Sequence, residues 1–164
     1  MKAPRTPRQG AILVIGIGNE MRGDDAAGLL VARRLKSLNL PGVRVLESTG
    51  DGAELMDQWA ECGSVFIFDA TNPAGQTGAA RRFEAHIQPL PAHWLAMSTH
   101  SFGLAEAVEL SRSLKRIPDE LIIYGIEGGN FGLGQPVSPS VTASIQAVSE
   151  AALAEIRKRL STAL

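Results

Sequence analysis

A single cysteine, Cys62, stands in 164 residues. It excludes an internal disulfide and suits a cytosolic protein. The formal net charge is only -1, so neither nucleic acid nor an anionic membrane is expected as a partner. No apolar run is long enough to cross a bilayer. The first nine residues, Met1–Gln9, are basic and carry two prolines, but they lack the apolar core of a signal peptide. There is no repeat, low-complexity tract or interdomain linker. The phosphate-binding lysine motif is missing, and so is a His-Glu-x-x-His helix. No Ser–His–Asp or Cys–His arrangement is visible, which disfavours serine, cysteine and zincin chemistry.

What is present is ordinary for one soluble globular domain: 45% hydrophobic and 20% charged residues. Residues 1–10 read as a flexible tail and 11–164 as a single α/β domain. Strand and helix signals alternate. Ile12–Ile17 is a continuous apolar run, as in a strand buried on both faces. Asp24 or Asp25 is placed to cap a helix reaching about Leu38, with Leu29, Leu30, Leu35 and Leu38 inward. Val43–Leu46 is a second strand. Asp51 caps a helix over Ala53–Glu61. Val65–Phe68 is a third strand, closed by Asp69 and the breaker Asn72-Pro73. Ala80–Ala85 alternates and suits an edge. Gln88–Thr99 is irregular. Ser101 opens a helix to about Leu114, using Leu104, Ala107, Val108, Leu110 and Leu114. Leu121–Ile126 is a fifth strand, followed by the mobile-looking glycine loop Gly128–Gly134. Ser138-Pro139 opens the last helix, whose apolar face is Val141, Ile145, Val148, Ala152, Ile156 and Leu160. This alternation predicts one three-layer α/β domain, a mostly parallel twisted sheet of about five strands with helices on both faces.

The turn after the first strand reads Gly16-Ile17-Gly18-Asn19-Glu20-Met21-Arg22-Gly23-Asp24-Asp25. A dinucleotide fingerprint would need a third glycine where Met21 stands. Bare N–H groups suit phosphate, whereas Glu20, Asp24 and Asp25 suit a cation. Ligands of such sheets bind beyond the carboxyl ends of strands. If the first and third strands are neighbours, Asp25 and Asp69 converge there, and His100 can join them from the loop above. Two carboxylates and an imidazole suit a divalent borderline metal. Each residue also has a plain structural role open to it. Asp25 can serve a helix terminus, Asp69 a turn with its own backbone, and His100 an ordinary loop. Glu20 reads as a solvated turn residue, Glu127 as a reserve ligand or substrate-contacting acid, and Cys62 as packing. His86 and His93 lack a comparable placement.

Four motifs in order cover nearly the whole chain. They are Gly16-Ile17-Gly18-Asn19 … Gly23-Asp24-Asp25-Ala26-Ala27-Gly28, Phe68-Asp69-Ala70, His100-Ser101-Phe102-Gly103-Leu104 and Tyr124-Gly125-Ile126-Glu127-Gly128. Together they resemble the hydrogenase maturation endopeptidases, which trim the C-terminus of the large subunit of nickel–iron hydrogenases. The resemblance implies a metal-contacting trio at Asp25, Asp69 and His100. It implies that the metal is the nickel already inserted in the precursor, with no permanent metal in the protease. One of the aspartates, or the nickel, would activate the hydrolysis. The expected partner is the large-subunit precursor, the expected location the cytoplasm, and the expected state a monomer. The alternative for the same trio is a non-enzymatic nickel metallochaperone. A second rival, a small nucleotide- or sugar-binding module, fits the acidic turn poorly. One departure is Glu47-Ser48-Thr49-Gly50-Asp51-Gly52, where the family usually shows two glycines and a threonine after the second strand.

Overall fold

A computed structural model describes residues 11–91 and 101–162. The expected tail over 1–10 and the segment carrying His93 and His100 lie outside these described residues. Nine elements follow the 3.6- and 2-residue periodicities of the sequence. They are β1 (Ile12–Ile17), α1 (Ala27–Ser37), β2 (Val43–Ser48), α2 (Gly52–Trp59), β3 (Ser64–Thr71), β4 (Ala80–Glu84), α3 (Leu104–Ser113), β5 (Glu120–Glu127) and α4 (Pro139–Thr162). A 3₁₀ turn, Gly23–Ala26, precedes α1.

The five strands form one sheet in the order β2-β1-β3-β5-β4. All neighbours are parallel except β4 and β5, so β4 is the expected edge strand. Alternating side chains feed two cores. Val14, Phe66, Phe68, Ile122 and Ile126 pack with Val31 and Leu35 of α1 and with Val141, Ile145 and Ile156 of α4. On the other face Leu13, Ile15, Val65, Ile67 and Ile123 pack with Leu55 and Trp59 of α2 and with Leu104 and Val108 of α3. Every residue of β1 is buried. A strand apolar on both faces is an interior one of a helix–sheet–helix sandwich.

The lower end of the sheet is tied electrostatically. Arg159 of α4 donates to both oxygens of Glu120, to Oε2 at 2.7 Å and to Oε1 at 3.2 Å, and lies 5.0 Å above the Phe66 ring. Ser64 donates to the same carboxylate at 2.8 Å. This cluster stands at the first residues of β3 and β5 and leaves their carboxyl ends free for other work.

Several expectations change. β3 does not stop at Phe68. It pairs with β5 through Asp69↔Gly125, Ala70↔Ile126 and Thr71↔Glu127, so Asp69 is a strand residue. Neither Asp24 nor Asp25 caps a helix with its side chain, because the 3₁₀ turn separates both from α1. Helix α3 begins at Leu104 rather than at Ser101. Its first turn is closed by Glu106, whose carboxylate accepts the Gly103 N–H at 3.0 Å. Asp51 does cap α2, accepting the Glu54 N–H at 2.9 Å. Leu38, Leu110 and Leu114 are exposed, since each sits in or beyond the last turn of its helix, where the helix runs off the core.

Candidate active site

The strand order places β1 between β2 and β3. The chain leaves β1 for one neighbour and later returns to the other, which makes the gap above β1 and β3 the topological switch point, the usual ligand crevice of an open α/β sheet. β3 outruns β1 here. Gly16 pairs with Phe68, so Asp69 stands where β1 is giving way to its loop. By alternation with Val65 and Ile67, Asp69 belongs to the sheet face that α2 and α3 cover.

The loop after β1 brings Asp25 to the same place. Asn19 Oδ1 accepts the Met21 N–H at 2.9 Å. Arg22 N–H donates to Asn19 O at 3.2 Å, Asp25 N–H to Arg22 O at 3.1 Å, and Asn19 N–H to Asp25 O at 3.3 Å. This knot needs Gly18, with φ +152°, because any Cβ there would strike the Asp25 carbonyl. Helix α1 approaches equally closely. A Cβ on Gly28 would overlap the carbonyl oxygens of Ile17 and Phe68 and lie 2.8 Å from the Phe68 carbonyl carbon. The glycines of the first motif therefore serve close backbone packing rather than a phosphate.

The charge of Asp25 acts on Asp69. Burial pushes the Asp69 carboxyl well above the usual range. The Asp25 charge pushes it further, against a smaller opposing effect of the Ala70 N–H. Burial also raises Asp25, while the Arg22 guanidinium and the Asn19 N–H act against it. A nearby like charge and burial act in the same direction on Asp69, both favouring its neutral form. Asp25 opens into a cleft of about 580 Å³, which Met21, Arg22, Glu47, Thr49 and Glu54 also line. Gly52 N–H donates to Phe102 O at 2.9 Å. The start of α2 is thus tied to the chain just after residue 100. His100 itself lies outside the described residues. Among those residues no group of three His, Cys, Asp or Glu side chains gathers to hold a metal ion.

The remaining candidates are structural. Glu20 is a surface residue paired with Arg33 at 2.8 Å, and Arg33 also holds Glu47 at 2.7 Å. Glu127 is buried and accepts the N–H groups of Ala74 and Gln76, both at 2.5 Å. It shapes the loop after β3 and has no reserve-ligand posture. His86 Nδ1 accepts the Leu121 N–H at 3.0 Å. Asp24, read from the sequence as a helix cap or a cation-facing acid, has a role that sequence reasoning missed. It is fully buried and accepts from Gly129 N, Asn130 N, Ser138 N and Ser138 Oγ at 2.7–2.9 Å. Gly134 N–H donates to Met21 O at 2.8 Å. The glycine loop expected to be mobile is therefore fastened to the site loop at both ends.

An open α/β sheet with paired acids at its switch point defines the class. The family follows from comparison. The HycI hydrogenase maturation protease family model matches residues 29–155, well over half of the chain, and the chain belongs to that family. The matched stretch begins just after the loop that carries Asp25. The chain is 29% identical to the hydrogenase 2 maturation protease of Escherichia coli, over 90% of this chain and 91% of that protein. It is 28% identical to a putative hydrogenase maturation protease of Methanocaldococcus jannaschii, over 90% and 97%. Among solved structures, the [NiFe] hydrogenase maturation protease HycI of Thermococcus kodakarensis superposes with a TM-score of 0.67 at 27% identity, covering 94% of each chain. The E. coli endopeptidase HybD has the same fold, with a TM-score of 0.71 at 23% identity over 90% of this chain and 93% of that one.

Proposed function

We propose that this chain removes the C-terminal extension of a nickel–iron hydrogenase large-subunit precursor once nickel has been inserted, and that Asp25, Asp69 and His100 contact that nickel as part of the substrate. The observation that carries the reading is the placement of Asp25 and Asp69 at the switch point between β1 and β3, where the Asp25 charge acts against ionisation of Asp69. A cation delivered by the substrate relieves that effect. The pair would then discriminate between loaded and empty precursor, because only the loaded one brings the compensating charge.

Docking the metal would also fix the adjoining peptide bond in the cleft, converting a loose tail into an oriented substrate. Hydrolysis then needs one water. A carboxylate that is not engaged by the metal takes a proton from it, the water oxygen bonds to the scissile carbonyl carbon, and the C–N bond breaks as the amine gains a proton. Nickel close to the carbonyl oxygen would stabilise its developing charge. The protease carries no resident metal in this scheme, works as a monomer and meets its precursor in the cytoplasm. No helix among the described residues is long and apolar enough to cross a membrane.

The test uses purified precursor with and without inserted nickel, with tail release followed by mass spectrometry. The loaded form should be cut and the empty form spared. Asp25→Asn, Asp69→Asn and His100→Ala should each lower cleavage by roughly a hundredfold or more while the protein stays folded. Equal cleavage of both precursors would sink nickel recognition. Tight stoichiometric nickel binding by the isolated protein, without any peptide product, would favour a metallochaperone instead.

A further inference from the structure

We infer that Asp24 is a positioning residue for this site: its buried carboxylate locks the loop after β5 and the start of α4 onto the loop that presents Asp25. The inference rests on the reading of Asp25 given above, and it is carried by geometry. Oδ2 accepts Gly129 N–H at 2.8 Å, Asn130 N–H at 2.9 Å and the Ser138 hydroxyl at 2.7 Å. Oδ1 accepts Ser138 N–H at 2.7 Å. The Asp24 N–H in turn donates to Asn130 O at 2.8 Å.

These bonds join the exits of β1, β3 and β5. Gly128 N–H donates to Thr71 O at 2.8 Å, at the end of β3, two residues beyond Asp69. The loop after β1 is joined to the loop after β5 through Asp24, and the loop after β5 to the end of β3 through Gly128. Asp25 follows Asp24 in the same 3₁₀ turn, so its backbone moves only as far as Asp24 allows. The neighbours leave no slack. A Cβ on Gly128 would stand 2.9 Å from Asp24 Cβ, and one on Gly23 would stand 2.5 Å from Asn130 O.

Asparagine is the informative replacement, because it preserves shape. Its amide retains one oxygen and turns an NH₂ group toward N–H donors at the other position, in either flip state. Ser138→Ala removes only the hydroxyl bond and serves as the milder step. Two readouts are needed. Amide hydrogen exchange on the free protein needs no substrate. Protection at Gly129, Asn130, Ser138, Asn19 and Asp25 should fall together, by about tenfold or more in Asp24→Asn and less in Ser138→Ala, while amides of β1 and β3 stay protected. Cleavage of loaded precursor, measured well below the melting transition, should lose roughly tenfold or more in kcat for Asp24→Asn and rank with the exchange.

A merely structural carboxylate would lower the melting temperature and leave kcat of the folded enzyme unchanged. Wild-type kcat in Asp24→Asn, or loss of protection at Gly129, Asn130 and Ser138 with none at Asn19 and Asp25, overturns the inference. If wild-type protein cuts no precursor, the proposed function fails, and the exchange pattern alone still decides whether Asp24 couples the loops.

Discussion

Gly28→Ala is the sharpest probe of how the fold builds the site. Gly28 lies in the first turn of α1, where the helix meets the carboxyl ends of β1 and β3. An added Cβ would lie 2.8 Å from the Phe68 carbonyl carbon, against 3.4 Å for ordinary contact, and closer still to the carbonyl oxygens of Phe68 and Ile17. The helix must withdraw by more than ~0.6 Å, the difference between those two distances. The obstacles are backbone atoms of two central strands, so no side chain can rotate away. Overpacking of this kind costs about 3 kcal/mol, at the upper end of the usual range. Replacing helical glycine by alanine returns at most about 1 kcal/mol. A net loss of about 2 kcal/mol is a large share of a domain's total stability. In urea denaturation the midpoint should fall by about 1 M at an m-value near 2 kcal/mol/M. Cleavage by the fraction still folded should fall as well, because Asp25 is three residues from the strained contact. An unchanged midpoint would refute the close-packing account of the first glycine motif.

Three further perturbations test separate links. Glu127→Gln should cost about 2 kcal/mol, because the two N–H groups bonded to this buried side chain lose a charged acceptor; amide exchange at Ala74 and Gln76 should speed up, and unchanged exchange there would remove Glu127 as the organiser of that loop. Glu120→Gln should cost about 0.5–1 kcal/mol at pH 7 and less at pH 3. The Arg159 guanidinium holds the Glu120 carboxyl below its usual 4.5, so its contribution is present above that value and disappears as pH falls through the lower folded value; an equal loss at both pH values would contradict this. Asp69→Asn should raise the melting temperature, more at pH 8 than at pH 4. The raised Asp69 carboxyl makes ionisation cost stability as pH climbs, and asparagine has no proton to lose; a lower melting temperature at pH 8 would show that the pair is not in conflict.

Much of this architecture is legible in the sequence because it depends on burial. The apolar runs at Ile12, Val65 and Leu121 identify the three central strands. The alternation at Ala80 identifies the edge, and Asp51 identifies the start of α2. What escapes detection depends on the backbone. The hydrophobic run of β3 ends at Phe68, yet its ladder with β5 continues to Thr71, because strand pairing uses N–H and C=O groups that every residue carries. Adjacent aspartates after a glycine read as helix caps, but a 3₁₀ turn intervenes. Loop Gly128–Gly134 reads as mobile from composition. Its anchorage depends on Asp24, Gly128 and Met21, far away in sequence. The neighbourhood of Asp25 and Asp69 was legible only as a condition on strand order, and the order β2-β1-β3 meets it.

Asp24 and Asp25 then pose one physical question: why do two identical side chains, adjacent in the chain, have opposite fates? Burial works against the charge on both. At Asp24 the N–H groups of Ser138, Gly129 and Asn130 and the Ser138 hydroxyl outweigh it, and the carboxyl falls below its usual range. At Asp25 the Arg22 guanidinium and one N–H fall short, and the carboxyl rises. Asp24 has its acceptor capacity filled by the protein and has little to offer a ligand. Asp25 keeps unmet demand and faces a second acid in the same state. Stability would favour satisfying both; in the proposed function the unsatisfied one awaits the charge that the substrate brings. The saturated aspartate makes the unsatisfied one possible, because a carboxylate in conflict with Asp69 would swing away unless its loop were held. The proposed function and the proposed role of Asp24 therefore stand on one loop, and Asp24→Asn tests them together.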